Sequence, residues 1–224
     1  MSLRIVTWNV RSLRDDRLAV VQVLRSLAPD VVALQEVPRF LRSRSRLAAL
    51  ARESGLLVAC GGRSSAGTAL LAALRIDVLR SSEALLPPSP RLHRRGVAIA
   101  EVRVSGSGGP SLVVACVHLG LNSGERARHA QVVRELVGAY QNQATVIAGD
   151  LNEWPGRPAW QTLWSGHSDP GDEAAAATFP SRHPEHRIDV VFVPEGSAAT
   201  CEVVTGPAIA AASDHCPVVV DLQW

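Results

Sequence analysis

The chain has 224 residues, 46% hydrophobic and 20% charged, the balance of an ordinary soluble globular protein, which excludes disordered and fibrous classes. Its formal charge of +2 and pI near 8.5 make no electrostatic case for a dedicated nucleic-acid-binding domain. All 23 basic residues are arginines, which fits a GC-rich coding bias or phosphate recognition by planar bidentate donors. Leu3 to Trp8 reads as a short β run, and Arg14, Asp15 and Asp16 open a helix whose Leu18, Val21, Leu24 and Ala28 recur at helical spacing up to Pro29. Asn9, Arg11, Arg14, Asp15 and Asp16 precede any apolar region, unlike a secretory leader, so the expectation is an intracellular, cytoplasmic protein. Val31 to Leu34 is the next strand, followed by Gln35, Glu36 and a helix through Leu47, Leu50 and Ala51 that stops near Gly55.

The pattern then becomes β-rich. Leu56 to Cys60, Thr68 to Leu74, Val97 to Val104 and Leu112 to Val117 read as strands of antiparallel meanders, separated by turn material such as Pro87-Pro88 and Gly106 to Pro110. These apolar runs are far shorter than the roughly 18 residues a membrane-spanning helix needs. A helix from Gly124 to Gln141 presents Ala130, Val133, Val137 and Tyr140 on one face, and Thr145 to Ala148 is another strand. A short helix at Pro158 to Trp164, a loop rich in Ala, Asp and Pro, and strands at Ile188 to Val193, Cys201 to Thr205 and Val218 to Leu222 follow. In each half a strand ends in a polar group (Asn9, His118), a helix crosses, and a second strand ends in a carboxylate (Glu36, Asp150). No linker is evident, so residues 1–224 read as one domain, an α/β sandwich of four layers. Cys60, Cys116, Cys201 and Cys216 lack metal or redox spacing and read as buried free thiols.

Polar residues are rare in the strands and cluster at their ends, so they share one rim. Gly149-Asp150-Leu151-Asn152 closes a strand with a carboxylate that can take a proton from water and an amide that can orient it, although an Asx turn has the same look. If Asp189 accepts from one ring nitrogen of His215, it fixes the tautomer and favours the imidazolium, leaving the other nitrogen for a phosphate or a water. A surface Asp-His turn is the bland alternative. Ser213-Asp214-His215 is poorly spaced for a serine-hydrolase triad, and no Gly-x-Ser-x-Gly elbow exists. Asp214 is left for a cation, and Glu36 is the best hard-cation ligand of the first half.

Thr7-Trp8-Asn9, Leu34-Gln35-Glu36, Val117-His118-Leu119, Gly149-Asp150-Leu151-Asn152, Arg187-Ile188-Asp189 and Ser213-Asp214-His215 resemble the ordered motif set of the endonuclease/exonuclease/phosphatase superfamily, the DNase I-like fold. The resemblance implies a four-layered αββα sandwich of two mixed, mainly antiparallel sheets, and cleavage of phosphoesters with Mg²⁺ or Mn²⁺. Carried over, Glu36 resembles the principal metal ligand, with Asn9 and Asp214 as direct or water-mediated ligands. Asp150 resembles the residue that activates or positions water, and Asn152 the one that holds water and phosphate. His215, oriented by Asp189, resembles the histidine on the scissile phosphate, and His118 a second phosphate contact. The opening resembles apurinic endonucleases, but that branch has an acidic residue where Arg11 stands and an aromatic and Asn around Ala115 and His118. Histidine at that slot is closer to DNase I, sphingomyelinases and inositol-polyphosphate phosphatases.

Arg39, Arg42, Arg44 and Arg46 follow Glu36 closely enough to grip neighbouring phosphates, or simply form a solvated helix entrance. Arg94 and Arg95 either reach the rim or end a hairpin, and Trp154, Trp160 and Trp164 either wall the site or pack in the core. The expected activity is a phosphodiesterase or nuclease acting on DNA or RNA. The alternatives are a phosphatase or phosphodiesterase for a small molecule or phospholipid headgroup, and an inactive binding scaffold.

Overall fold

A computed structural model describes residues 2–140, 143–172 and 176–224. In chain order its elements are β1 (Ser2–Asn9), a single 3-10 turn (Arg11–Leu13), α1 (Arg17–Leu27), β2 (Val31–Gln35), α2 (Ser43–Glu53), β3 (Leu56–Gly61), β4 (Ala69–Ala73) and β5 (Ile76–Leu85). There follow β6 (Gly96–Val104), β7 (Leu112–His118), α3 (Ser123–Gly138), β8 (Ala144–Asp150), α4 (Pro158–Trp164) and β9 (His167–Ser168). β10 (Asp189–Pro194), β11 (Ala199–Val203), α5 (Pro207–Ala212) and β12 (Val218–Gln223) complete the fold.

The strands form two six-stranded sheets, ordered β11-β12-β1-β2-β4-β3 and β5-β6-β7-β8-β10-β9. Among the described residues only β1–β2 and β7–β8 pair in parallel; every other neighbour is antiparallel. The two echoing halves of the sequence are therefore two β-α-β units, one per sheet, since parallel neighbours need a crossover.

Alternation along each strand sends side chains to opposite faces. In β1, Leu3 and Ile5 enter a core shared with Val114, Cys116, Val146 and Ala148 of the other sheet, while Val6 and Trp8 pack under α1 and α2. A third core joins the outer face of the second sheet to α3 and α4 through Val117, Ala130, Val133, Trp160 and Phe192. Three cores between helix, sheet, sheet and helix make the expected four layers and explain why central strands are apolar on both faces. No helix among the described residues is long and apolar enough to cross a membrane.

The structure differs from the sequence reading in a few places. α1 starts later because the Asp16 carboxylate accepts from Leu18 N and Ala19 N as its N-cap. The helix then buries Ala19, Val20, Val23 and Leu24 and turns Leu18 outward, 60% exposed. β5 and α5 are additional elements, and Cys201 is only half-buried where the other three thiols are buried. α3 ends at Gly138; its expected end at Gln141 lies outside the described residues.

Candidate active site

The two parallel pairs end at the same rim. Asn9 and Gln35, the residue before Glu36, face each other across β1 and β2, and His118 and Asp150 do so across β7 and β8. The second pairing depends on Gly149: a Cβ there would stand 2.0 Å from the Val117 carbonyl oxygen, so only glycine lets the two backbones approach. Antiparallel β10 then starts where β8 ends, placing Asp189 beside Asp150.

Asp150 is the hub, 1% exposed. Its Oδ1 accepts from Asn152 N at 2.8 Å. Its Oδ2 accepts from Asn9 Nδ2 at 3.1 Å and lies 3.3 Å from His118 Nε2 and 3.9 Å from His215 Nε2. Burial, then the neighbouring charge of Asp189, raise the Asp150 pKa to about 6, against the opposing effects of His215, Asn152 and Asn9.

His215 is held from behind. Its Nδ1 sits 2.9 and 3.2 Å from the two Asp189 oxygens. Asp189 is itself fixed by Thr178, whose Oγ1 accepts from Ile188 N and Asp189 N, both at 3.2 Å. Burial alone would lower the His215 pKa, but Asp189, Asp150 and Asp214 together lift it to about 10. The Phe179 ring tilts against the imidazole at 4.8 Å between centroids. The His215 loop is anchored on β1: Trp8 Nε1 donates to His215 O at 2.8 Å, and Ser213 Oγ donates to Asn9 O at 2.6 Å.

His118, 3% exposed, lies between Asp150 and Arg95. Arg95 Nη1 is 3.1 Å from His118 Nδ1. A guanidinium is only a donor, so Nδ1 must accept and the ring proton sits on Nε2, facing Asp150. Burial first, then the charges of Arg95 and His215, hold His118 well below its usual pKa and keep the ring neutral. Arg95 is 8% exposed, and its Nε has no hydrogen-bond partner.

Glu36 and Asn152 both adopt left-handed backbone, at φ 53° and 49°. Such conformations are strained for residues with a side chain and recur where structure positions a functional group. The half-buried Glu36 carboxylate accepts a long bond from Asn9 Nδ2 at 3.5 Å and, among the described residues, has no cationic side chain within 4 Å. Asn152 Nδ2 donates to Leu119 O at 3.1 Å, which orients its amide.

Asn9, Glu36, His118, Asp150, Asp189 and His215 thus form one connected cluster, with Asn152 at its edge. Asp214 stands at the periphery, a third exposed, with Oδ2 3.2 Å from Arg11 Nε. Arg39 is further out, donating through Nη1 to Ala66 O and Arg94 O. Of the pair Arg94 and Arg95, it is Arg95 that enters the site. Trp160 is core, whereas Trp154 is 51% exposed and stacks on His186. Thr178, Phe179 and Arg11 were not anticipated as part of the site. Their contacts are long-range, and only the adjacency of Arg11 to the Asn9 motif offered a signal.

The sequence pattern of the Endonuclease/Exonuclease/phosphatase family matches residues 6–215. Among curated proteins, the chain is 26% identical over 141 residues to "Uncharacterized protein YbhP" of Escherichia coli (strain K12), covering 58% of this chain and 53% of that protein. The chain therefore spans about half the length of the curated relatives it matches. Its fold is similar to that of an endonuclease/exonuclease/phosphatase from Bacteroides vulgatus, with TM-score 0.80, 20% identity, and coverage of 100% of this chain and 99% of that one. It is also similar to Bacteroides thetaiotaomicron mannosyl-6-phosphatase, with TM-score 0.81, 18% identity, and coverage of 99% and 100%.

Proposed function

We propose that the chain, which belongs to the endonuclease/exonuclease/phosphatase family, is a divalent-metal-dependent phosphodiesterase that cleaves polynucleotides by in-line attack of water. The observation that carries the reading is the buried cluster in which Asp150 Oδ2 lies 3.3 Å from His118 Nε2 and 3.9 Å from His215 Nε2, with Asp189 holding the other ring nitrogen of His215. Burial and Asp189 raise the Asp150 carboxyl to about 6, and the carboxylate neighbours of His215 lift its imidazole to about 10 against burial. At neutral pH His215 already holds its proton and cannot serve as the base. Asp150 is mostly ionised and basic enough to take a proton from water, as a general base should be. Asn152 orients that water. The imidazolium of His215 and the Nε2–H of His118 then neutralise charge on the phosphoryl oxygens as it develops, where fixed donors in a dry site are most effective.

The donor set fits Mg²⁺ or Mn²⁺. Carboxylate and amide oxygens suit hard cations, and Glu36 is a half-buried charge lacking a close counter-charge. Glu36 and Asn9 would hold the ion, with Asp214 alongside. When bound, it supplies positive charge against the phosphoryl group and lowers the pKa of a coordinated water. Asp150, Asp189 and His215 also bring ligand-type atoms within 4.8 Å of one another. Two of those three are already hydrogen-bonded together, and the Asn9 amide oxygen accepts from Arg11 N at 3.0 Å, so Glu36 is the better host and Asn9 supports it.

The test is Mg²⁺-dependent nicking of supercoiled plasmid by purified protein, with EDTA and an Asp150→Asn variant in parallel. Nicking lost in both controls is expected. A folded protein that leaves plasmid and RNA intact but hydrolyses sugar phosphates would replace this reading by a small-molecule phosphatase, the activity named for the Bacteroides thetaiotaomicron neighbour.

A further inference from the structure

Between the start of α2 and the β3–β4 loop lies a groove of about 740 Å³. Phe40, Leu41, Arg42 and Arg44 line one wall and Arg63 the other. Among the described residues, none of the guanidinium groups of these three arginines has a carboxylate within 4 Å or a hydrogen-bond partner. Glu83 of β5 turns its Oε1 to Gly61 N, from which it accepts at 2.7 Å. The first turn of α2 has neither an acidic residue nor a side-chain cap. Phe40 and Leu41 are 81% and 85% exposed, and the Arg39 guanidinium lies 6.0 Å from the Phe40 ring centroid.

The loop that carries Arg63 also packs against the segments that carry two residues of the rim. Val37 N, next to Glu36, donates to Gly67 O of the β3–β4 loop at 2.9 Å. Gly96, next to Arg95, packs so tightly on that loop that a Cβ would stand 2.4 Å from Ser65 O. Glu36 and Arg95 are therefore braced by the loop that carries Arg63.

We propose that this groove holds the sugar-phosphate backbone of a single nucleic-acid strand leading away from the scissile phosphate, with a base lying on Phe40. Three planar cations without an ion pair among the described residues offer bidentate donors to phosphate oxygens. An exposed aromatic beside them offers a stacking platform that only an unpaired base can reach. A duplex or a small phosphoester would leave most of these groups unused. The inference rests on the polynucleotide reading above and narrows it to single-stranded substrates.

Binding of fluorescein-labelled (dT)10 to an Asp150→Asn protein, followed by anisotropy across a salt series, reads the groove without turnover. Adding Arg44→Glu and Arg63→Glu should raise Kd at least tenfold and lower the log–log salt slope by about 1.4, roughly 0.7 per lost phosphate contact. Phe40→Ala should raise Kd by about five- to tenfold at unchanged slope, since stacking does not depend on counterion release. In the Asp150-intact protein, Arg44→Glu with Arg63→Glu should cut kcat/KM for the decamer about tenfold more than for a dinucleotide. Circular dichroism confirms that the exposed substitutions leave the fold in place. Equal Kd and slope with and without the charge reversals would overturn the groove while leaving a nuclease reading intact. Failure to bind (dT)10, with bis(4-nitrophenyl) phosphate still hydrolysed, would overturn both. Binding to phosphatidylserine vesicles that is lost in Phe40→Ala, with (dT)10 affinity unaffected, would reassign the surface to a membrane.

Discussion

The two β-α-β units have the same topology but opposite chemical characters at their strand ends. β1 delivers the buried Asn9 and the end of β2 the half-buried Glu36, which sits on left-handed backbone and, among the described residues, has no cationic side chain within 4 Å. β7 and β8 deliver His118 and Asp150 into the interior, at 3% and 1% exposure, where their side chains contact Arg95, Asn9, Asn152, His215 and each other. A half-exposed carboxylate with no cationic side chain in contact keeps its oxygens open to solvent. A buried one held by several neighbours has its proton affinity tuned.

This contrast breaks most severely at Asp150. Asp150→Asn keeps the shape and removes the proposed base, and hydrolysis of bis(4-nitrophenyl) phosphate should fall by about 10²–10⁴-fold while circular dichroism stays native; wild-type turnover would refute the assignment. Glu36→Gln tests the other edge. The wild-type chain should gain about 2.7 kcal/mol of stability when Mn²⁺ is raised to a hundred times its Kd, and the variant at the same concentration should gain little, as read from denaturant melts.

Arg95→Met sharpens the comparison within the buried unit. Without its donor on Nδ1, His118 should no longer be confined to the Nε2–H tautomer, which ring ¹⁵N shifts report directly, and kcat should fall about tenfold, the effect of 1.4 kcal/mol. Unchanged shifts would remove Arg95 from this role. The smallest effect lies outside the site. Burial lowers the pKa of His129 and His167 below the usual 6.5, so the unfolded chain binds more protons than the folded one as pH falls through 6.5. Their contribution to stability should therefore be full above 6.5 and decline below it, so between pH 7.5 and 5.5 the wild-type urea midpoint should fall relative to that of a His129→Gln, His167→Gln variant. His215, raised instead, contributes stability present below 6.5 and lost as pH rises through about 10.

Much of this was legible in the sequence because the site interrupts an apolar pattern. A carboxylate or histidine at the end of a Val/Leu/Ala run, as at Asp150 and His118, stands out against strands buried on both faces. β5 gave no such contrast: Arg80, Ser81, Ser82 and Glu83 face solvent on an edge strand that neither alternates nor looks apolar. α5 is six residues of mostly alanine, too short for a period. The supports were the least visible. Thr178 holds Asp189 from a loop and Phe179 touches His215 from the next position, and neither residue type at that spacing announces the contact. Arg95 could be placed near the rim, but its burial against His118 depends on packing between β6 and the β3–β4 loop, which no local pattern encodes.

β12 lies between β1 and β11, so the first strand of the fold acquires that neighbour only when the last one arrives. Chains emerge from the ribosome at about 5–20 residues per second, N-terminus first. Asn9, Glu36, His118 and Asp150 have all been made while His215 and the Ser213 hydroxyl that ties it to Asn9 are still to come. A nascent chain therefore carries Asp150 before it carries His215. The order of translation leaves the buried cluster incomplete until the strand order around β1 can close.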